Sequence, residues 1–261
     1  MRIRPSRSLA VAAGTGLAAA LLGGCTGSSG GSSSSTTTSP ASSTASSSGA
    51  SASPVASPKL EDASADEILA RSRAELLAAR SVHAKGVVQN AGTSYALDLR
   101  LVRGVGATGS LVSEGRSLGV LRIGKVAYVR LDAASWRAAT GSDAAARMFA
   151  GKYLKVDASA STFKPILTLT DVRQTYGAAL APTGTVTKGP VTTLRGKRVI
   201  DLKINDGGSS GHVFVALDGK SYPMRLAYGR GSSQRVDFDS FGAKVTLTPP
   251  PASQVVAVPA R

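Results

Sequence analysis

The sequence predicts an α+β domain in which a large curved antiparallel sheet of about ten strands is covered by a few helices. Two observations carry this reading. From about residue 80 onward most of the chain alternates apolar and polar residues with period two, and charged residues take the outer positions. Only three stretches carry helical spacing, too few to build a layer of their own. Alternation with charge on one side marks an antiparallel sheet with one wet face, and its apolar face then needs helices against it.

The elements follow in order. Ser64-Ala65-Asp66-Glu67 reads as a capping box, with Ser64 as N-cap and Glu67 at N3. Ile68, Leu69, Leu76 and Leu77 continue as an apolar stripe, and Glu67 can pair with Arg71 on the wet face. Five strand candidates come next. In Leu97-Asp98-Leu99-Arg100-Leu101 the leucines share one face and the charges the other, and Val129 and Leu131 oppose Arg130 in the same way. A second helical region is broken into 134–138 and 143–150 by Thr140-Gly141, with a short strand after it. A third spans about 163–180, interrupted by Pro165 and Gly177. Four or five strands close the domain: Ile200, Leu202 and Ile204 alternate with Asp201 and Lys203, and Leu226 follows Arg225. Gly124-Lys125, Arg195-Gly196-Lys197 and Asp218-Gly219-Lys220 sit between strands as hairpin loops should.

Ahead of this domain lie two segments of another kind. Arg2, Arg4 and Arg7 precede an uncharged, mostly apolar stretch from Leu9 to Leu22, too short to span a bilayer comfortably. Leu22-Gly23-Gly24-Cys25 resembles the lipobox of bacterial lipoproteins. The resemblance implies that residues 1–24 are a signal peptide and that Cys25 takes a diacylglyceryl thioether and becomes the mature N-terminus. Cys25 is the only cysteine, so no disulfide competes for its thiol. The alternative is a secreted protein with an incidental cysteine. Residues 26–58 are almost wholly Ser, Gly, Thr, Ala and Pro without a charge, and with Cys25 they read as a disordered tether, 25–58. Such a coil would hold the domain, 59–261, roughly 30 Å from the membrane on average. The expected localisation is extracytoplasmic, lipid-anchored to the outer face of the cell membrane.

Formal net charge is +15, and removal of residues 1–24 takes three arginines and no acid, leaving +12. Such a chain is drawn to anionic envelope surfaces. Basic residues are scattered as in Arg195, Lys197, Arg198 and Lys203, with no Lys/Arg run and no aromatic RNA-binding signature, so nucleic acid is not the expected partner.

Several stretches resemble the actinobacterial LppX/LprAFG lipoprotein family and, more distantly, the LolA-like carriers. They are Ser81-Val82-His83-Ala84-Lys85-Gly86 after the first helix, Val126-Ala127-Tyr128-Val129-Arg130 shortly before Trp136, and Gly151-Lys152-Tyr153-Leu154-Lys155-Val156. Gly189-Pro190 before Leu194-Arg195-Gly196, and Val213-Phe214-Val215-Ala216 before Tyr222-Pro223-Met224-Arg225-Leu226, continue the likeness. The resemblance covers most of the domain through degenerate packing and turn patterns. It implies a half-barrel sheet wrapped over helices, in some members with a lipid or glycolipid between the two layers.

No cofactor, metal site or catalytic set is expected. His83 and His212 stand alone in strand-like segments, and one cysteine with two separated histidines makes no zinc site of the usual type. Asp237 and Asp239 share a strand face, for which the solvated outer surface is the simpler role. Two functions remain open, neither enzymatic. In one, a monomeric module holds an apolar ligand over a floor of Leu97, Leu99, Leu101, Val129, Leu131, Ile200, Leu202 and Leu226, with Trp136, Phe149, Phe163, Ile166 and Leu167 on the helical side. In the other, the core is filled and the surface binds a protein, peptide or wall polymer.

Overall fold

Ser64 starts the first helix as its spacing requires. In this computed structural model, which describes residues 59–206, 209–229 and 233–257, its hydroxyl accepts the Glu67 N–H at 3.2 Å. The signal segment 1–24, Cys25 and the tether 26–58 lie outside the described residues. Helix α1 (Ala65–Ala78) buries Ile68, Leu69 and Leu76, and pairs Glu67 with Arg71 on its wet face. Five strands follow: β1 (Ser81–Asn90), β2 (Thr93–Val102), β3 (Gly106–Ser113), β4 (Arg116–Ile123) and β5 (Val126–Leu131). Ala91-Gly92 and Glu114-Gly115 join them with φ positive at both positions, the I′ geometry whose twist suits two-residue hairpins.

Helices α2 (Ala133–Thr140) and α3 (Asp143–Phe149) come next, joined at Gly141, which takes φ 66° as a left-handed C-cap. Strand β6 (Tyr153–Asp157) follows. The helix expected over 163–180 is divided. A short α4 (Lys164–Thr168) ends in a turn, and Asp171 restarts the chain as a π-helical turn, Val172–Gly177. The cause is local: one Asp171 carboxylate oxygen accepts the N–H groups of both Arg173 and Gln174, each at 3.0 Å. Strands β7 (Thr185–Leu194), β8 (Lys197–Asp206), β9 (Ser209–Ala216), β10 (Pro223–Tyr228), β11 (Gln234–Asp239) and β12 (Val255–Ala257) complete the sheet.

The twelve strands lie in the order β12-β6-β5-β4-β3-β2-β1-β11-β10-β9-β8-β7. All pairs are antiparallel except β12 with β6. The sheet exceeds the expected ten strands partly through β12, three residues that join β6 in parallel and are too short to show a period. Two meanders, β1 to β6 and β7 to β11, meet at the β1–β11 pair. Gly86 permits that contact: a Cβ there would stand 1.8 Å from the Arg235 carbonyl oxygen. Leu99, Leu101, Leu202, Val213 and Phe238 from the inner face and Ile68, Leu76, Leu167, Tyr176 and Leu180 from the helical layer form one core cluster, each at most 2% exposed. Full burial of each such side chain stabilises the fold by about 1.5–3 kcal/mol.

The outer face is polar over most of its strands but neither wholly polar nor wholly open. Val199, Ala216 and Met224 form a buried apolar cluster there, with Phe214 and Phe241 against it, and Asp201, expected on the wet side, is buried as well. Beyond β11 the chain is tied to β1 by the Ser81 hydroxyl, which donates to the Ala243 carbonyl. It then runs past β3, β4 and β5, where Thr246 and Thr248 face Thr108, Gly119 and Arg130 across a shallow cleft, and adds β12 to the edge of β6.

Candidate functional site: an apolar groove beside the core

One cross-strand row shows how the candidate site arises. Leu97, Leu111, Leu118 and Leu131 are register partners in succession across β2, β3, β4 and β5. Leu97 and Leu111 are 3% and 1% exposed, whereas Leu118 and Leu131 are only half-buried. The row therefore leaves the packed core and emerges into a groove of about 530 Å³. Tyr95 and these last leucines line its sheet side, and Ala138, Ala139, Phe163 and Ile166 its helical side.

Capping and turn chemistry hold the helical wall in place. Asp132 is the N-cap of α2: its carboxylate accepts the Ser135 N–H at 2.7 Å and, across the fold, the Ser117 N–H of β4 at 2.8 Å. Burial pushes the Asp132 carboxyl up, but these two backbone donors outweigh it and leave it below the ordinary range. Behind α2, Trp136 packs on Phe149 with ring centroids 5.1 Å apart, in a satellite cluster with Ala146 and Leu154. At the other side Asn90 donates to the Pro165 carbonyl, tying α4 to the β1–β2 turn.

Thr93, Ser135 and Thr162 bring hydroxyls to the lining, and the charged groups gather at one turn. Glu114 and Arg116 form an ion pair at the β3–β4 turn and border the groove. Ser113 also lines it, its hydroxyl buried behind the groove wall without a hydrogen-bond partner among the described residues. A cavity of this volume, lined by apolar side chains with several polar ones among them, matches small-molecule sites, which run about 300–1,000 Å³.

The residues selected from sequence divide between groove and core. Leu131, Phe163 and Ile166 line the groove. Trp136 and Phe149 support it from behind. Leu97, Leu99, Val129, Leu167, Ile200 and Leu202 are at most 3% exposed inside the packed interior. Leu101 and Leu226 are also buried, and each touches another cavity, of about 440 and 280 Å³ respectively. Leu111 and Leu118 were not singled out. Their signal is the register that puts them in one row with Leu97 and Leu131, which requires the strand pairing to be known.

The ionisable residues on the outer face are tied to one another. His83 sits between two carboxylates, its Nδ1 2.9 Å from Asp239 and its Nε2 2.8 Å from Asp98. His212 Nδ1 lies 2.9 Å from the buried Asp201. Arg225 donates twice to Asp237, at 2.5 and 3.2 Å, and Arg195 reaches Asp239 at 3.4 Å. Asp237 and Asp239 thus answer separate cations, and the histidines staple neighbouring strands. Among the described residues no helix is long and apolar enough to cross a membrane.

No family model and no curated protein matches the sequence. Solved structures do match. LprF from Mycobacterium bovis superposes with a TM-score of 0.52 at 15% identity, over 71% of this chain and 96% of that one. The lipoprotein LppX from Mycobacterium tuberculosis gives 0.46 at 14% identity, over 70% and 97%. The fold assignment rests on the first. The described part of the chain has the fold of LprF, a large, mostly antiparallel sheet with a few helices against it, as its sequence predicts.

Proposed function

We propose that this protein is a membrane-anchored envelope lipoprotein that binds an apolar ligand, a lipid or glycolipid, in the groove between β2–β5 and the helices α2 and α4. The observation that carries the reading is the row of leucines that leaves the closed core for an apolar groove of about 530 Å³. An acyl segment of about eight methylenes laid there would gain about 6 kcal/mol, at roughly 0.8 kcal/mol each. The Glu114–Arg116 pair stands where the ligand's polar end would lie. Cys25 would carry the anchor and the tether would let the domain reach out from the membrane, acting as a monomer near anionic surfaces. Sequestration rather than catalysis fits the outer face, where both histidines and Asp98, Asp201, Asp237 and Asp239 are committed to partners across the sheet.

A second reading, a surface-acting interaction module, draws on one observation. Under the central strands the core is filled, with Leu99 and Leu202 wholly buried. Purifying the full-length protein from its producing cells, extracting it and analysing the extract by mass spectrometry separates the two. Near-stoichiometric apolar ligand, absent from an Ile166→Trp variant whose indole fills the groove, supports the carrier. No ligand, together with no uptake of offered fatty acid, supports the interaction module instead.

A further inference from the structure

At the opposite end of the same strands lies a second cavity, about 440 Å³, of different chemistry. Tyr95 marks the apolar groove and Leu101 the second cavity, and six residues of strand separate them by roughly 20 Å. Three guanidinium groups border this second site, those of Arg103 on the β2–β3 turn, Arg122 at the end of β4 and Arg173 on the π-helical turn. The one carboxylate among its lining residues is that of Asp171. One Asp171 oxygen is already occupied by the N–H groups of Arg173 and Gln174, and the other meets Arg122 at 3.5 Å. The Arg122 Nε is buried and has no hydrogen-bond partner among the described residues. Arg103 and Arg173 make no ion pair among them either. Around the opening, Gly104 and Gly124 take φ of +71° and +58°, so the turns bend back without adding side chains there. At Gly106 a Cβ would stand 1.8 Å from the Arg122 carbonyl oxygen, and its absence lets β3 lie against β4 where Arg122 emerges.

We infer that this cavity binds the phosphate group of a small phosphomonoester. Three guanidinium groups against one half-used carboxylate leave two positive charges, which a phosphate dianion matches, and guanidinium groups offer it paired donors. The volume exceeds a bare phosphate, and Leu101, Val105 and Val172 provide an apolar wall for the organic part. The site does not depend on the apolar groove, and either can fail without the other.

Calorimetric titration of the full-length protein in non-ionic detergent tests this with inorganic phosphate, glycerol 3-phosphate and dioctanoyl phosphatidic acid. Saturable one-to-one binding of glycerol 3-phosphate is expected. It should weaken at least about tenfold in Arg103→Gln/Arg173→Gln, whose exposed sites spare the fold, as loss of charge-assisted hydrogen bonds implies. Arg147→Gln/Lys155→Gln, which removes the same charge elsewhere, should leave it unchanged, as should Ile166→Trp. Arginine-dependent binding of phosphatidic acid alone would support the site and assign the phosphate to a lipid headgroup. Absence of saturable binding to all three ligands, or affinities equal in the two charge-matched variants, overturns the inference.

Discussion

Replacing Asp132 with alanine removes the one side chain that both caps α2 and ties it to the sheet. Two acceptor interactions disappear, from the Ser135 N–H at 2.7 Å and the Ser117 N–H at 2.8 Å. Loss of a helix N-cap costs about 0.5–2 kcal/mol. The second donor lies at a partly exposed edge where water can replace the carboxylate, so the sum should stay near 2 kcal/mol. In a domain of this size that lowers Tm by roughly 4–8 °C. Asparagine keeps a capping oxygen, and Asp132→Asn should lose about half as much or less. The charge has a pH signature as well. The folded-state pKa lies below the ordinary value, so the stabilisation is full above roughly pH 3.9 and is lost as pH falls through the lowered value. Thermal unfolding by circular dichroism measures the stability, and hydrogen exchange of the α2 amides locates the loss. The groove should also open, because α2 is its wall. Equal stability of Asp132→Ala and wild type at pH 7, or loss of protection spread evenly over the molecule, would refute this role for Asp132.

Further expectations concern the sheet and the core. Gly86→Ala places a Cβ 1.8 Å from the Arg235 carbonyl oxygen, and separating β1 from β11 should cost more than about 4 kcal/mol in urea unfolding, a loss that a wild-type midpoint would contradict. Leu202→Ala should cost about 2–5 kcal/mol as a large-to-small change at a wholly buried site, yet leave fatty-acid uptake intact. Uptake lost in proportion to stability would place the ligand in the core instead. Asp98 is held below the ordinary carboxylate value chiefly by its hydrogen bond with His83. At Asp239 burial acts upward, and the His83 and Ser240 hydrogen bonds outweigh it. Both carboxylates therefore stabilise the fold above roughly pH 3.9 and lose that contribution as pH falls through their lowered values. The acid limb of a stability–pH profile should flatten in Asp98→Asn, and an unchanged limb would remove His83 from the account of acid unfolding.

The sheet was legible because its physics is local. Alternation in Leu97–Leu101 and Ile200–Ile204 requires only that a strand have two faces, and both segments bury their apolar side as expected. The capping box at Ser64 is equally self-contained. What the sequence did not reveal depends on pairing. Leu111 and Leu118 become groove residues through register, and His83 finds Asp98 and Asp239 only when β2 and β11 flank β1. Asp171 stopped the third helix because its carboxylate competed for backbone donors, a choice that Pro165 and Gly177 did not announce. Burial of the selected leucines was foreseeable from their pattern. Whether they faced a ligand or one another turned on how closely the helices cover the sheet, and α2, α3 and α4, of eight, seven and five residues, leave Leu118 and Leu131 only half-buried.

The most direct measurement is photo-crosslinking of the full-length protein with a diazirine-bearing fatty acid, followed by peptide mapping. Adducts concentrated on the segments that carry Leu118, Leu131, Phe163 and Ile166, and competed by unlabelled fatty acid, are the expected result. Adducts scattered over the outer face, or none above the level given by an Ile166→Trp variant, would contradict an apolar ligand in the groove.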